Sequence, residues 1–233
     1  MLIIFNNSTK ASWLRWGGLA AILLFQFWFF CRDIGRPWTD DTDFNGAAWS
    51  QAAHNFMRAG LIPAAGVPFY FGPMPIPSQN YYGHHPALLS WTVTAAFHFF
   101  GENEWSARLI PVSCSLASVI LLWMIVQSCL GSRTATFAAA VFASLPMELR
   151  WGQMVNFEPC TLMWILVGFL GLRYWNITGL NRWKNIMLFG FFMAIQTAWL
   201  GYFFVMLLCL HFGLFDHEKR RRLALLLFGI CMA

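Results

Sequence analysis

Seven stretches of this sequence are rich in apolar residues and contain no Asp, Glu, Lys or Arg. They cover roughly residues 16–31, 109–130, 134–147, 159–172, 185–200, 201–215 and 223–233. A helix needs about 20 apolar residues to cross the hydrocarbon core of a bilayer, or somewhat fewer where the bilayer thins around it. The runs therefore predict an all-α polytopic integral membrane protein.

The composition excludes a water-soluble domain. Hydrophobic residues make up 58% of the 233 positions and charged residues only 11%, whereas soluble domains carry roughly a quarter of charged residues. The formal net charge of +5 is interpreted as membrane topology, so we expect no nucleic-acid partner. The six cysteines have no CxxC spacing, so neither a disulfide framework nor a zinc site is expected.

The first run predicts an uncleaved anchor with a cytoplasmic amino terminus, because it follows Lys10 and Arg15 and lacks a small-residue cleavage pattern. An eighth, weaker run at residues 87–100 is interpreted as interfacial or re-entrant. Alternation of the other spans then places ten basic residues inside and five outside, in agreement with the positive-inside rule. The five outer ones are Arg32, Arg36, Arg58, Arg108 and Arg150.

The same topology gives a long first outer loop, about residues 32–107, and places eight of the ten acidic residues on the outer face. Long ordered loops are usually functional, so chemistry is expected there. The last run stops at Ala233 after about eleven residues. We therefore expect residues 1–233 to form the amino-terminal part of one transmembrane domain, truncated within its last span.

Three carboxylates follow the first apolar run in the segment Trp38-Thr39-Asp40-Asp41-Thr42-Asp43. Carboxylates at a membrane exit can accept a proton from a hydroxyl group or bind a divalent cation through oxygen. A solvated acidic turn or a helix N-cap is the alternative, since Asp favours helix starts. Asp43 is the sharper candidate, because it directly precedes Phe44 and a helix predicted from Asn45 to Arg58.

The adjacent pair His84 and His85, after Tyr81 and Tyr82, is a second candidate. Histidines can bind metal or phosphate, but an adjacent pair lacks the i, i+4 spacing that places two imidazoles on one helical face. Spacing alone therefore favours an interfacial cap, with Pro86 starting a helix.

Glu158 and Arg108 lie at the outer ends of two predicted spans. Glu158 directly precedes Pro159 in the segment NFEP, where it is either a functional carboxylate or an ordinary first-turn acid that complements the helix dipole. Arg108 either binds a lipid phosphate or anchors the span that follows it.

Four segments occur in a characteristic order: DFNGAAWSQAAHNFMRAGL, YYGHHPALLSW, FGENEWSARLIPVSCSL and MVNFEPCTLM. In order and sidedness they resemble the amino-terminal half of GT-C fold membrane glycosyltransferases, close to the bacterial relatives of protein O-mannosyltransferases and lipid A aminoarabinose transferase. The resemblance covers nearly the whole chain. It departs at the first acidic site, where many relatives carry Asp-Glu, and at HHPA, which replaces the family's HPP.

The resemblance implies a GT-C-like transmembrane helix bundle with a long first outer loop containing interfacial helices. It also implies an inverting transfer of a sugar from a polyprenyl-phosphate-linked donor to a glycan, lipid or protein acceptor on the outer face. Membrane lipid would surround the protein, which the resemblance places in a bacterial inner (plasma) membrane with its active face periplasmic or extracellular.

The site roles that follow are expectations. Asp43 would act as the base, and Glu158 would orient the acceptor or share a divalent cation with Asp43, if any metal is required. The phosphate charge would be neutralised by Arg108, His84 and His85, and the remaining substrate-site candidates are Tyr82, Asp40 and Asp41. These roles require Asp43 and Glu158 to converge on one outer cavity near the histidines.

The main alternative is a transporter or flippase for a lipid-linked substrate, and a third possibility is a noncatalytic scaffold subunit. Transporters usually place ionisable groups or broken helices near the bilayer midplane. The notable polar residues of the predicted spans are Gln26, Gln127, Gln196 and His211. Because the carboxylates crowd one face instead, the sequence favours surface chemistry over transport.

Overall fold

The computed structural model describes residues 9–39, 43–71, 76–77, 80–215, 223, 225–229 and 231. Over these residues the chain is a bundle of helices, in which longer connections at 32–43 and 60–87 precede the second and third helices. The named helices are α1 (Thr9–Cys31), α2 (Phe44–Ala59), α3 (Leu88–Phe100), α4 (Glu104–Leu130), α5 (Ser132–Ser144), α6 (Pro146–Trp151), α7 (Phe157–Thr178), α8 (Asn181–Ile195) and α9 (Trp199–Phe215).

Two of these helices, α4 and α7, are long and apolar enough to cross a membrane, among the residues that the structure describes. Three shorter apolar helical segments accompany them, at Trp16–Cys31, Leu88–Phe100 and Trp199–Leu214. The order of spans and their sidedness stay predictions.

The apolar run at 134–147 is broken in the structure. Its helix α5 ends at Ser144, Leu145 is extended with a ψ of 132°, and α6 starts at Pro146. Proline disfavours a helical conformation in the residue before it, which explains the break. The 13 residues of α5 extend only about 20 Å, so the run is shorter as a helix than its sequence suggests. The next break, between α8 and α9, lies at residues 196–198 rather than at 200–201.

Close backbone contact joins α7 to α8. A Cβ atom on Gly190 would lie 2.5 Å from the backbone nitrogen of Gly168, and one on Gly171 would lie 2.4 Å from the backbone nitrogen of Met187. Glycines at such positions let two helices approach each other, as is common in membrane proteins.

An aromatic core packs the described part of the segment that was predicted to be the first outer loop. Trp49 of α2 packs edge-to-face against Phe157 of α7, with ring centroids 4.8 Å apart, and against Tyr82 at 5.3 Å. The buried Asn55 amide donates a 2.8 Å hydrogen bond to the carbonyl of Phe69. These contacts hold the start of α2 and the start of α7 on the same side of the bundle. The helix predicted from Asn45 to Arg58 is confirmed as α2, and the weak run 87–100 forms α3.

Candidate functional site

Asp43 lies at the amino terminus of α2 and is almost completely buried, with 6% of its surface exposed. Its Oδ1 lies 3.2 Å from Nη2 of Arg108, and its Oδ2 lies 3.4 Å from Nη2 of Arg36. The same Oδ2 accepts a 3.2 Å hydrogen bond from the backbone amide of Thr39. The carboxylate is therefore fixed in position by three donors.

Arg108 supports this arrangement from the first turns of α4. Its guanidinium is 3% exposed and donates to the backbone carbonyls of Ile34, at 2.9 Å, and of Arg36. It also lies over the ring of Trp38, 4.0 Å from the centroid. Such a charge is stable in a buried place because its donors are paired and its planar face is stacked. The guanidinium of Arg108 therefore holds the Asp43 carboxylate and the backbone at Ile34 and Arg36 in place.

Trp38 is held against α2 by Gly46. A Cβ atom at position 46 would lie 2.3 Å from a carbon of the Trp38 ring. Only glycine allows this contact, so Trp38 is packed between α2 and Arg108.

A small cavity of about 20 Å³ borders Asp43, Arg108 and Gln153. This volume is about that needed by one water molecule. The space next to the carboxylate therefore fits a single hydroxyl-sized group.

The histidine pair belongs to a neighbouring aromatic cluster. The hydroxyl oxygen of Tyr82 lies 2.8 Å from Nδ1 of His85, and the His85 ring stacks on Phe157 with centroids 4.3 Å apart. Burial lowers the pKa of His85, with a further lowering by His84 and an opposing effect of Glu158. Burial also raises the pKa of Tyr82. When the protonated Tyr82 hydroxyl donates to Nδ1, the imidazole proton is on Nε2, which can donate to a ligand.

His84 itself is exposed, and its ring centroid lies 5.5 Å from that of Tyr82. Its backbone carbonyl accepts a hydrogen bond from the indole nitrogen of Trp199. This contact ties the histidine segment to the start of α9.

Glu158, in the first turn of α7, lines a groove of about 550 Å³ between α5, α6 and α7. Most of the lining is apolar, including Phe142, Leu145, Met147, Trp151, Leu162 and Leu200. The groove therefore combines an apolar surface with a carboxylate at the start of α7.

Glu148, a second carboxylate of that groove, was not singled out from the sequence. Its Oε1 accepts a 3.0 Å hydrogen bond from Nε2 of Gln26, a fully buried residue of α1. Burial raises the pKa of Glu148, and its polar neighbours Ser115 and Gln26 oppose that effect. The sequence signal for this contact was the amide of Gln26 within an otherwise apolar run. The sequence does not show which residue that amide contacts.

The structure brings the predicted site residues together as two groups. Asp43 and Arg108 form one group, and Tyr82, His84 and His85 form the other, with Glu158 close enough to affect His85 electrostatically. Asp43 and Glu158 line different cavities that share Met154, so the expected convergence of the two carboxylates on one cavity is not found. Asp40 and Asp41 lie outside the described residues, and the catalytic and binding roles stay predictions.

Within the described part of the chain, no group of three or more His, Cys, Asp or Glu side chains is arranged to hold a metal ion. Those residues therefore supply no third ligand for the divalent cation that Asp43 and Glu158 were predicted to share.

The profile of the dolichyl-phosphate-mannose-protein mannosyltransferase family matches residues 84–232. None of the curated proteins matches the chain in sequence.

Solved structures show the fold. ArnT from Cupriavidus metallidurans in the apo state is 17% identical with a TM-score of 0.61, and its complex with undecaprenyl phosphate is 15% identical with a TM-score of 0.57. The oligosaccharyltransferase AglB from Archaeoglobus fulgidus, in complex with an inhibitory peptide and a dolichol-phosphate, is 14% identical with a TM-score of 0.66. Each match covers 97% of this chain, but only 41% of ArnT and 29% of AglB. The predicted GT-C membrane fold is confirmed, and the chain spans less than half the length of these proteins.

Proposed function

Because the chain belongs to the dolichyl-phosphate-mannose-protein mannosyltransferase family, we propose that it is part of a glycosyltransferase that uses a polyprenyl-phosphate-linked sugar. The acceptor is a hydroxyl or amine of a glycan, lipid or protein on the outer face of the membrane. The reaction is a single displacement with inversion at the anomeric carbon.

In this step the acceptor oxygen or nitrogen forms a bond to the anomeric carbon while the bond from that carbon to the phosphate oxygen breaks. The electron pair of the broken bond leaves with the polyprenyl phosphate. The acceptor proton passes to the carboxylate of Asp43. Such proton transfer by a positioned side chain contributes about 10²- to 10⁴-fold to a rate.

The single observation that carries the proposal is the fixed, buried carboxylate of Asp43 beside a space of hydroxyl size. Arg108 and Arg36 prevent the carboxylate from rotating away from that space. Arg108 is accordingly assigned a positioning role, since its buried guanidinium is committed to Asp43 and to backbone carbonyls.

The apolar groove beside Glu158 suits the isoprenoid chain of the donor, because its side chains are mostly hydrocarbon and it reaches the start of α7. ArnT and AglB, which share the fold, have been captured with undecaprenyl phosphate and a dolichol-phosphate. His85, beside Glu158, can donate from Nε2 to the phosphate and so stabilise the charge that develops on the leaving group. Glu158 would orient the acceptor or the sugar at this end of the groove.

The proposal is tested by sugar transfer from radiolabelled polyprenyl-phosphate hexoses in membranes that contain the full-length protein. Asp43→Asn should lower the transfer rate by at least about 100-fold while protein level and donor binding persist. Glu102→Gln is the matched control, because it makes the same carboxylate-to-amide change at a residue that contacts His54 and lies outside the proposed site. Equal transfer by wild type and Asp43→Asn would reject Asp43 as the base, and no transfer with any donor would reject the enzyme class.

A further inference from the structure

A second polar cavity, of about 380 Å³, lies between the outer end of α1 and helix α6. Three guanidinium groups line it, those of Arg32, Arg36 and Arg150, together with the carboxylate of Asp33 and the amide of Gln153. This cavity is separate from the histidine cluster to which the donor phosphate is assigned.

The charge balance of the cavity favours an anion. Asp33 lies 3.5 Å from Nε of Arg32, and both side chains are exposed. Asp33 pairs with Arg32, and Asp43 pairs with Arg36 at 3.4 Å, so among the described residues these two carboxylates leave the charge of Arg150 in excess at the cavity. Guanidinium groups present planar, paired N–H donors that match the oxygens of a phosphate.

Gln153 is a second indication that the cavity binds a polar ligand. Its side-chain oxygen is buried and has no hydrogen-bond partner within the described part of the chain. An unsatisfied buried polar atom is costly. A protonated phosphate oxygen could donate to it, or the amide could rotate and donate its N–H to an ionised one.

The cavity adjoins the catalytic candidate. Arg36, Arg150 and Gln153 line both this cavity and the small one that borders Asp43. A ligand held by these three side chains would therefore lie next to the carboxylate proposed as the base.

We propose that this cavity binds a phosphate group at the outer membrane surface. The group belongs either to the acceptor, whose reacting atom would then be presented to Asp43, or to the headgroup of an anionic phospholipid. Phosphate binding does not depend on transferase activity. Only the assignment of the phosphate to an acceptor rests on the proposed function.

The test measures arginine modification by phenylglyoxal in the full-length protein, reconstituted in phosphatidylcholine nanodiscs and followed by mass spectrometry. Inorganic phosphate is compared with chloride at equal ionic strength, which removes the effect of screening. At a phosphate concentration of about twice the dissociation constant, labelling of Arg32 and Arg150 should slow about threefold. Arg58, an exposed arginine of the same outer loop that does not line the cavity, is the internal control and should react at an unchanged rate.

A second arm uses phosphatidylglycerol nanodiscs without added phosphate. Protection of Arg32 and Arg150 there identifies the lipid headgroup as a ligand, whereas protection by inorganic phosphate alone identifies a non-lipid phosphate such as that of an acceptor. Arg150→Gln should abolish protection at Arg32, and Arg58→Gln should retain it. Equal labelling of Arg32, Arg150 and Arg58 under every condition would overturn the proposal. Protection without any sugar transfer would support the site and count against the proposed function alone.

Discussion

Nη2 of Arg108 lies 3.2 Å from Oδ1 of Asp43, although the two residues are 65 positions apart in the sequence. The contact joins the start of α4 to the start of α2, and the same guanidinium holds the backbone carbonyls of Ile34 and Arg36. The position of the proposed base therefore depends on a second buried residue, since Arg108 is only 3% exposed.

Replacement of Arg108 by lysine should distinguish the effect of its positive charge from the effect of its hydrogen-bond and stacking geometry. A lysine ammonium keeps the positive charge but cannot bind Asp43, donate to two backbone carbonyls and stack on Trp38 at once. We expect Arg108→Lys to lower kcat by about 10- to 100-fold, since a small displacement of a catalytic group costs that much. The KM for the donor should change little. Steady-state kinetics of the full-length protein provide the measurement.

Arg58→Lys is the matched control, because Arg58 is an exposed arginine at the end of α2. Combining Arg108→Lys with Asp43→Asn should cost little more than Asp43→Asn alone, because the two residues act as one unit. A fully additive double variant would show that Arg108 acts independently of Asp43.

His85 should make stability depend on pH. Its pKa in the folded protein is lowered from 6.5, chiefly by burial, so the unfolded chain binds the proton more readily. The stabilisation from the neutral ring is complete above about pH 6.5 and is lost as the pH falls through the folded pKa, with a slope of at most about 1.4 kcal/mol per pH unit.

Thermal unfolding in nanodiscs between pH 7.5 and 5.5 measures this effect. His85→Gln should reduce the loss of stability on acidification, whereas His98→Gln, at an exposed position of α3, should not. Identical pH profiles for wild type and His85→Gln would contradict the assignment.

Sequence patterns predicted the local features of this fold and missed the distant contacts. The bounds of α2 follow from neighbouring residues, as does the acidic first turn of α7, and both are confirmed. The division of the run 134–147 was also encoded locally, by Pro146, but the lack of charge in that run obscured it. Hydrogen bonding between Gln26 and Glu148 across 122 positions depends on how α1 meets α6, which no local pattern specifies. For the same reason the sequence suggested a phosphate ligand for Arg108, which stays a prediction, and did not reveal the contact of Arg108 with Asp43.

Glu148→Gln should stabilise the protein at neutral pH. Burial raises the pKa of this carboxyl above 4.5, so the fold favours the protonated form, and that contribution is lost as the pH rises through the folded pKa. Glutamine carries no charge, still accepts from Gln26, and can donate to the Gln26 side-chain oxygen, which has no partner among the described residues.

A gain of about 1 kcal/mol is expected from the added hydrogen bond, which corresponds to a rise in Tm of about 2–4 °C for a chain of this size. The gain should shrink as the pH approaches 4.5. Glu104→Gln should not reproduce it, and a lower Tm for Glu148→Gln at pH 7 would show that the ionised carboxylate is required by the fold.

Gly190→Ala should weaken the packing of α7 against α8. The added methyl group would lie 2.5 Å from the backbone nitrogen of Gly168 and 3.0 Å from the carbonyl oxygen of Trp164. Backbone atoms cannot move aside as a flexible side chain can, so the helices must separate, at a cost of about 1–3 kcal/mol.

Gly213→Ala is the matched control, because a Cβ atom at that position of α9 meets nothing within 4 Å. There the higher helix propensity of alanine should leave stability unchanged or raise it by up to about 1 kcal/mol. Thermal unfolding of the two variants in the same nanodiscs compares them, and equal Tm values would show that α7 and α8 are not held together by this contact.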